Sequence, residues 1–171
     1  MHVRNSLGAA LRAASCCALI AATIFATRSP RVLSQAGQSS DSQTFLAAQL
    51  VQPADLAHEL ASASADSRPT IVYVGFRALF AGGHIPGATY HGTASTEQGL
   101  AEIKRWAASL PRATNLVIYC GCCPFQHCPN VRPAFALFQD MRFTRIRVLE
   151  LQASFAADWA ARNYPVEKGS S

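Results

Sequence analysis

The sequence lacks the excess of charge on which many binding functions depend. The chain of 171 residues has a formal net charge of +5, but four of its 15 basic residues precede residue 37. From residue 37 onward, 11 Lys and Arg residues stand against 10 Asp and Glu residues. This balance excludes the basic surface that is typical of nucleic-acid-binding proteins. A Ser/His/Asp set and a glycine-rich phosphate loop are also missing, so neither chemistry is indicated.

No apolar run is long enough to span a bilayer comfortably. The apolar stretch at residues 13–26 is shorter than the ~20 residues that a transmembrane helix needs. Arg4 and Arg12 supply positive charge ahead of this stretch, and a small-x-small cleavage site follows it at residues 34–36. This order is typical of a secretory signal peptide. We therefore expect residues 1–36 to be removed and the mature protein to be exported, either periplasmic or secreted.

Two alternatives for the leader stay open. An uncleaved leader would anchor the protein, and the chain would then meet the membrane only through that segment. Lipidation at Cys16 or Cys17 lacks a convincing lipobox, so both are interpreted as small apolar residues. Residues 37–50 begin with a stretch rich in Gly, Ser and Gln, which predicts a flexible linker. Residues 51–168 are then the folded domain.

Short apolar runs alternate with helical patterns along the domain. Strands are predicted at residues 45–51, 70–74, 89–91, 116–119 and 146–149, and the main helices at residues 53–60, 96–110, 131–141 and 155–162. This alternation predicts a three-layer α/β domain with a mostly parallel central sheet flanked by helices.

The most informative stretch is a strand, a cysteine-rich loop and a helix at residues 115–132. The β-branched run at residues 116–119 predicts a buried strand. Cys120 follows it directly, at the strand end where open α/β sheets bind ligands. Asn130 is a predicted N-cap of the next helix. Backbone N–H groups of the loop and the helix N-terminus favour an anion there, including a cysteine thiolate.

Four cysteines lie within nine residues of this loop. They are Cys120, Cys122, Cys123 and Cys128. Since an exported protein meets oxidising conditions, disulfide pairing within the loop competes with every role for a free thiol.

Several motifs resemble the rhodanese-like domains. They are the GHIPGA turn at residues 83–88, the Tyr-Cys pair that ends a strand at residues 119–120, and the tail with Trp159 and Tyr-Pro-Val at residues 164–166. The chain is more narrowly similar to an exported subgroup with a V-G-F segment, here at residues 74–76, and a Y-C-G-C-C-P-x-x-x-C-P-N-x-R-P-A loop.

The resemblance implies a sulfurtransferase that needs no cofactor. Cys120 would be the nucleophile and would carry a persulfide, taking sulfane sulfur from a donor such as thiosulfate or polysulfide. The other three loop cysteines would be resolving or relay thiols, and Cys128 has its own claim as the nucleophile. Gly121, His127 and Arg132 are the predicted substrate-binding residues. The expected partners are a small sulfur-containing anion or thiol, and a protein that accepts sulfur or electrons.

Two departures from the family pattern keep other functions open. The usual Asp-Val-Arg after the second strand is replaced by Tyr-Val-Gly at residues 73–75, and the loop before the helix is about seven residues longer. The alternatives are a thiol–disulfide redox protein, a zinc or copper site built from the cysteines and His127, and an inactive relative with a disulfide-stapled loop. A site of the tyrosine-phosphatase type would need a shorter loop that ends in Arg.

Overall fold

A five-stranded parallel β-sheet organises residues 45–169, the part of the chain that the structure describes. In this computed structural model the strands are β1 (Leu50–Val51), β2 (Thr70–Tyr73), β3 (Thr89–Tyr90), β4 (Asn115–Tyr119) and β5 (Arg145–Leu149). Their order across the sheet is β1-β5-β4-β2-β3, and every pair of neighbours is parallel. The predicted parallel sheet is therefore confirmed.

Helices cover both faces of the sheet. They are α1 (Pro53–Ser62), α2 (Arg77–Gly82), α3 (Glu97–Ala107), α4 (Val131–Asp140) and α5 (Phe155–Asp158), with short 3-10 turns at Ala47–Gln49, Phe125–His127 and Ala160–Arg162. Two separate apolar cores lie between them and the sheet. The three-layer α/β prediction is thus confirmed.

Strand β4 divides its side chains between the two cores, as a period of two requires. Leu116 and Ile118 pack with residues of α3 and α4, whereas Val117 and Tyr119 pack with residues of α1 and α2. The same alternation places Cys120 in the core shared with α4. All the side chains of residues 116–120 are at most 2% exposed, so the strand holds its end rigidly.

The two ends of the described region differ from expectation. Residues 45–50, which the sequence places in a linker or a first strand, contain a 3-10 turn and contribute only Leu50 to β1. The predicted last helix is divided at Trp159, which has φ −119° and lies fully buried. Its indole N–H donates to the Pro165 carbonyl at 2.8 Å, and this bond ties the tail to the domain.

The predicted leader and most of the predicted linker lie outside the described residues. Within residues 45–169, no helix combines the length and apolarity needed to cross a membrane.

Candidate active site: a four-cysteine cluster

Strand β4 delivers Cys120 to the carboxyl edge of the sheet, between β2 and β5. These neighbours run parallel to β4, so three strand ends meet at this point. The following loop is fixed to the domain by backbone hydrogen bonds. The amide of Phe125 donates to the Leu151 carbonyl at 2.9 Å, and the amide of Phe155 donates to the Gly121 carbonyl at 3.0 Å. The loop is therefore held at both its beginning and its middle.

Gly121 turns the chain sharply after Cys120. Its φ of +78° lies in the left-handed region, which glycine adopts without a steric penalty. A Cβ at this position would lie 2.6 Å from Cβ of Phe155, so a side chain has no room. The turn brings Sγ of Cys122 to 3.1 Å from Sγ of Cys120. Glycine is thus required for the two thiols to meet.

The four predicted thiols lie together. Sγ of Cys123 is 3.3 Å from Sγ of Cys122, and the sulfur atoms of Cys120, Cys122 and Cys128 all lie within 4.8 Å of one another. All four are free thiols. Cys120 and Cys128 are each 2% exposed, whereas Cys122 and Cys123 are partly exposed. The cluster therefore has a buried pair and an outer pair.

The pKa values of the two buried thiols, Cys120 and Cys128, are shifted in opposite directions. The sulfhydryl of Cys120 and the backbone N–H groups of Asn130 and Val131 lower the pKa of Cys128 to about 5, against the opposing effect of burial. The pKa of Cys120 is raised, first because it hydrogen-bonds to Cys128 and then because of burial. We interpret the pair as a Cys128 thiolate that accepts a hydrogen bond from the Cys120 thiol. The N-terminus of α4 stabilises the negative charge.

The outer thiol of Cys123 behaves differently. Burial and the neighbouring Cys122 thiol raise its pKa to about 12. Cys123 is therefore protonated at neutral pH.

Asn130 has a different role from the predicted one. Its side chain makes no N-cap hydrogen bond and is completely buried. Instead, its Oδ1 accepts a hydrogen bond from the Ser95 amide at 2.9 Å, and its Nδ2 donates to Sγ of Cys120 at 3.5 Å. Sequence reasoning missed this contact, because an Asn before a helix has the same signature whether it caps the helix or turns inward.

Tyr73 is a second residue that the sequence did not connect to the site. Its hydroxyl group is buried and is the one buried side-chain N or O atom without a hydrogen-bond partner in the described region. A Cβ on Gly75 would lie 2.6 Å from this oxygen and 2.7 Å from Sγ of Cys120. Both atoms therefore crowd the same face of Gly75. Burial and the neighbouring Cys120 raise the pKa of Tyr73 far above its ordinary value, so its hydroxyl group stays protonated at neutral pH.

Of the predicted substrate-binding side chains, His127 belongs to the loop and Arg132 to the first turn of α4. Arg132 donates from Nη2 to the Gln126 carbonyl at 3.2 Å, and its guanidinium carbon lies 5.4 Å from the centre of the Phe45 ring. His127 is exposed at the end of a 3-10 turn. Among the described residues, the group of three sulfur atoms that lie within 4.8 Å of one another includes no imidazole.

Two histidines outside the loop have packing partners. The Nδ1 atom of His84 is 2.8 Å from the Phe80 carbonyl, and its ring stacks on Phe80 with centroids 3.8 Å apart. This geometry gives His84 a structural role in the GHIPGA turn. His91 stacks on Trp106 at 4.0 Å.

Thiolate sulfur is the ligand that soft metals such as Cu(I) and Zn²⁺ prefer. The three sulfur atoms within 4.8 Å would fit such an ion with small movements. A closed structural zinc site needs a fourth ligand, which this group does not include.

Comparison with known proteins identifies the fold. No protein-family model matches the chain, and no curated protein matches it. The crystal structure of the Alr3790 protein from Anabaena sp. matches with a TM-score of 0.53 and 22% identity, over 69% of this chain and 82% of that chain. A domain of the same Anabaena protein is described as rhodanese-like. The BH2092 protein from Bacillus halodurans matches with a TM-score of 0.53 and 21% identity, over 71% and 77% of the two chains.

One similar structure has a named activity. The thiosulfate sulfurtransferase from Pseudomonas aeruginosa matches with a TM-score of 0.53 and 22% identity, over 72% of this chain but only 20% of that chain. Identities of this size show the fold alone. The fold is therefore rhodanese-like, as the motifs indicate.

Proposed function

We propose that this protein is an exported sulfurtransferase of the rhodanese-like exported subgroup with the four-cysteine loop. It would move sulfane sulfur from a small anionic donor, such as thiosulfate or polysulfide, to a thiol through a persulfide on Cys120. One observation carries the proposal. The Cys120 thiol at the end of β4 lies within 4.8 Å of Sγ of Cys128, and the pKa of Cys128 is lowered first by the hydrogen bond from Cys120 and then by the backbone amides of Asn130 and Val131.

This pair has the arrangement of an activated nucleophile. A nucleophile needs a base within hydrogen-bonding reach and a third group that holds the base in place. Here Cys120 is the nucleophile, Cys128 is the base, and the amides of Asn130 and Val131 hold Cys128. The proton of Cys120 moves to Cys128 as Cys120 Sγ attacks the outer sulfur of thiosulfate. The S–S bond of the donor breaks, sulfite leaves with the bonding electrons, and a persulfide anion remains on Cys120.

Cys128 competes with Cys120 for the role of nucleophile, because it is the resting thiolate. Two arguments favour Cys120. The nucleophilicity of a thiolate falls as its pKa falls, so Cys128 is the weaker nucleophile of the pair. Its hydrogen bonds from two amides and from Cys120 must also weaken before it attacks. The side-chain Nδ2 of Asn130, which donates to Sγ of Cys120, helps to stabilise negative charge there.

Burial controls access to the nucleophile. Cys120 is 2% exposed, and the half-buried loop residues 121–124 lie beside it. A donor therefore reaches Cys120 only if these residues move. This requirement favours small anions over large donors.

Mass spectrometry after a single exposure to thiosulfate tests the assignment. We expect a transient mass increase of one sulfur atom at Cys120 when the reaction of the reduced wild-type protein is quenched early. Cys120→Ser should abolish the increase, whereas Cys128→Ser should slow the reaction and move its rate profile to higher pH, because the base is lost. A persulfide at Cys128 that persists in Cys120→Ser would overturn the assignment. Failure of every variant to take up sulfur would refute sulfur transfer itself.

Export is proposed on the sequence alone. Determining the N-terminus of the protein recovered outside the cytoplasm tests it, and we expect the mature chain to begin at Gly37. A chain that begins at Met1 in that fraction would contradict cleavage.

A further inference from the structure

The thiols of Cys120 and Cys122 are in direct contact. Their Sγ atoms are 3.1 Å apart in the resting thiol state, compared with 3.3 Å for Cys122 and Cys123. The left-handed turn at Gly121 creates this contact. Phe155 packs so closely against Gly121 that no residue with a side chain fits at this position. A second thiol is therefore in contact with the proposed persulfide carrier before any sulfur arrives.

We propose that Cys122 resolves the Cys120 persulfide within the same chain and releases sulfide, so that the protein also reduces sulfane sulfur. This inference rests on the proposed sulfur transfer to Cys120. It adds a second product, hydrogen sulfide, and a Cys120–Cys122 disulfide as the oxidised state of the loop.

The step balances without an outside oxidant. The sulfur of Cys122 attacks the inner sulfur of the persulfide, which is Sγ of Cys120. The new bond is Sγ–Sγ between the two cysteines, and the bond that breaks joins Sγ of Cys120 to the outer sulfur. The outer sulfur leaves as hydrosulfide with the bonding electron pair, and the Cys122 proton accompanies it. The outer sulfur is reduced by two electrons, and the two cysteine sulfur atoms together lose two.

Burial favours this internal route over transfer to an external thiol. Cys120 is 2% exposed, so a thiol on another protein cannot touch its persulfide while the loop keeps this conformation. Cys122 already touches it and is partly exposed. A neighbouring group that is held in contact has a large advantage over a reactant that must diffuse in. Partial exposure of Cys122 also lets hydrosulfide leave and lets a reductant reach the disulfide.

The other two cysteines are poorer resolving thiols. Cys123 contacts Cys122 and is not among the three sulfur atoms within 4.8 Å. Cys128 is in that group, but it is held by the amides of Asn130 and Val131. A small loop with a two-residue spacing forms a strained disulfide, and strained, accessible disulfides are readily reduced. The class of reductant that restores the thiols is therefore a dithiol or a dithiol protein.

Thiosulfate is the suitable probe, because it contains no sulfide that could be released without reduction. The full-length mature protein is reduced, freed of reductant under anaerobic conditions and given excess thiosulfate without any added thiol. We expect close to one sulfide per chain and an intrachain link between Cys120 and Cys122 in the peptide map. Cys122→Ser should accumulate the Cys120 persulfide and release at least tenfold less sulfide.

Cys123→Ser is the discriminating comparison, because it removes the other partly exposed thiol of the same loop. It should release far more sulfide than Cys122→Ser. Equal sulfide release by Cys122→Ser, or a disulfide that maps to Cys123 or Cys128, would overturn the inference. Persulfide without sulfide in the wild type would overturn it too, but would leave sulfur transfer intact. Absence of a persulfide in Cys122→Ser, where nothing removes it, would instead refute the proposed function on which the inference rests.

Discussion

Replacing Cys120 by alanine removes the sulfhydryl that donates to Cys128. This hydrogen bond is the largest cause of the low Cys128 pKa, ahead of the amides of Asn130 and Val131. A hydrogen bond to a charged group contributes about 1.5–3 kcal/mol. Because one pKa unit corresponds to about 1.4 kcal/mol, its loss should raise the Cys128 pKa by about one to two units. We therefore expect a value of about 6–7 in Cys120→Ala, compared with about 5 in the wild type.

Serine at position 120 is the matched control. Its hydroxyl group can donate to the Cys128 thiolate, so Cys120→Ser should keep most of the depression of the pKa. Carbon NMR of protein labelled at cysteine Cβ follows each thiol against pH, with assignments from single substitutions. The amides of Asn130 and Val131 persist in both variants. The Cys128 pKa should therefore stay below 9.0, its ordinary value, in both of them.

Two results would refute the reasoning. Identical Cys128 pKa values in the alanine and serine variants would show that the group at position 120 does not donate to Cys128. Titration of Cys120 below Cys128 in the wild type would show that the charge lies on the other sulfur. The second result would also reverse the roles of nucleophile and base.

Three further predictions concern stability. Tyr73→Phe removes an unpaired buried hydroxyl group, so it should raise the free energy of unfolding by about 1 kcal/mol in urea titrations. Tyr119→Phe instead removes the oxygen that accepts a 3.0 Å hydrogen bond from a backbone amide, so it should lower the free energy of unfolding by about 1–3 kcal/mol. Gly121→Ala should lower the free energy of unfolding by at least about 1 kcal/mol. Gly82→Ala should not lower it, because the added Cβ would lie in open space. Equal effects of the two substitutions would contradict the packing argument. Since folding lowers the Cys128 pKa from 9.0 to about 5, its contribution to stability is lost as pH falls from 9.0 towards 5, and Cys128→Ser should remove that part of the pH dependence.

The sheet and most helices were predictable because local patterns and tertiary packing agree. The buried β-branched run of β4 and the helical spacing of α4 each specify one structure, and the chain adopts it. The end of the chain was not predictable in this way. Trp159 interrupts the expected last helix because its indole N–H donates a hydrogen bond to the Pro165 carbonyl. No local sequence pattern shows this contact.

The clustering of the four thiols was predictable from the sequence, but their electrostatics were not. The sequence places four thiols at the end of a strand, and the structure brings them together there. The division into a buried pair and an outer pair depends on the turn at Gly121 and on which sulfur accepts hydrogen bonds from the backbone amides at the start of α4. Asn130 and Tyr73 were missed because their contacts with the cluster come from long-range packing.

Charge conservation links the resting cluster to the proposed chemistry. Before reaction the buried pair carries one negative charge, on Cys128, which the amides of Asn130 and Val131 stabilise. After sulfite leaves, the proton is on Cys128 and one negative charge lies on the Cys120 persulfide. The buried region therefore never holds two thiolates, a state that the mutual repulsion and burial of the pair disfavour. A single buried cysteine that rests as the thiol would have to release its proton to solvent before it attacks. A second sulfur in contact keeps that proton inside the site, which gives a physical reason for pairing Cys120 with Cys128.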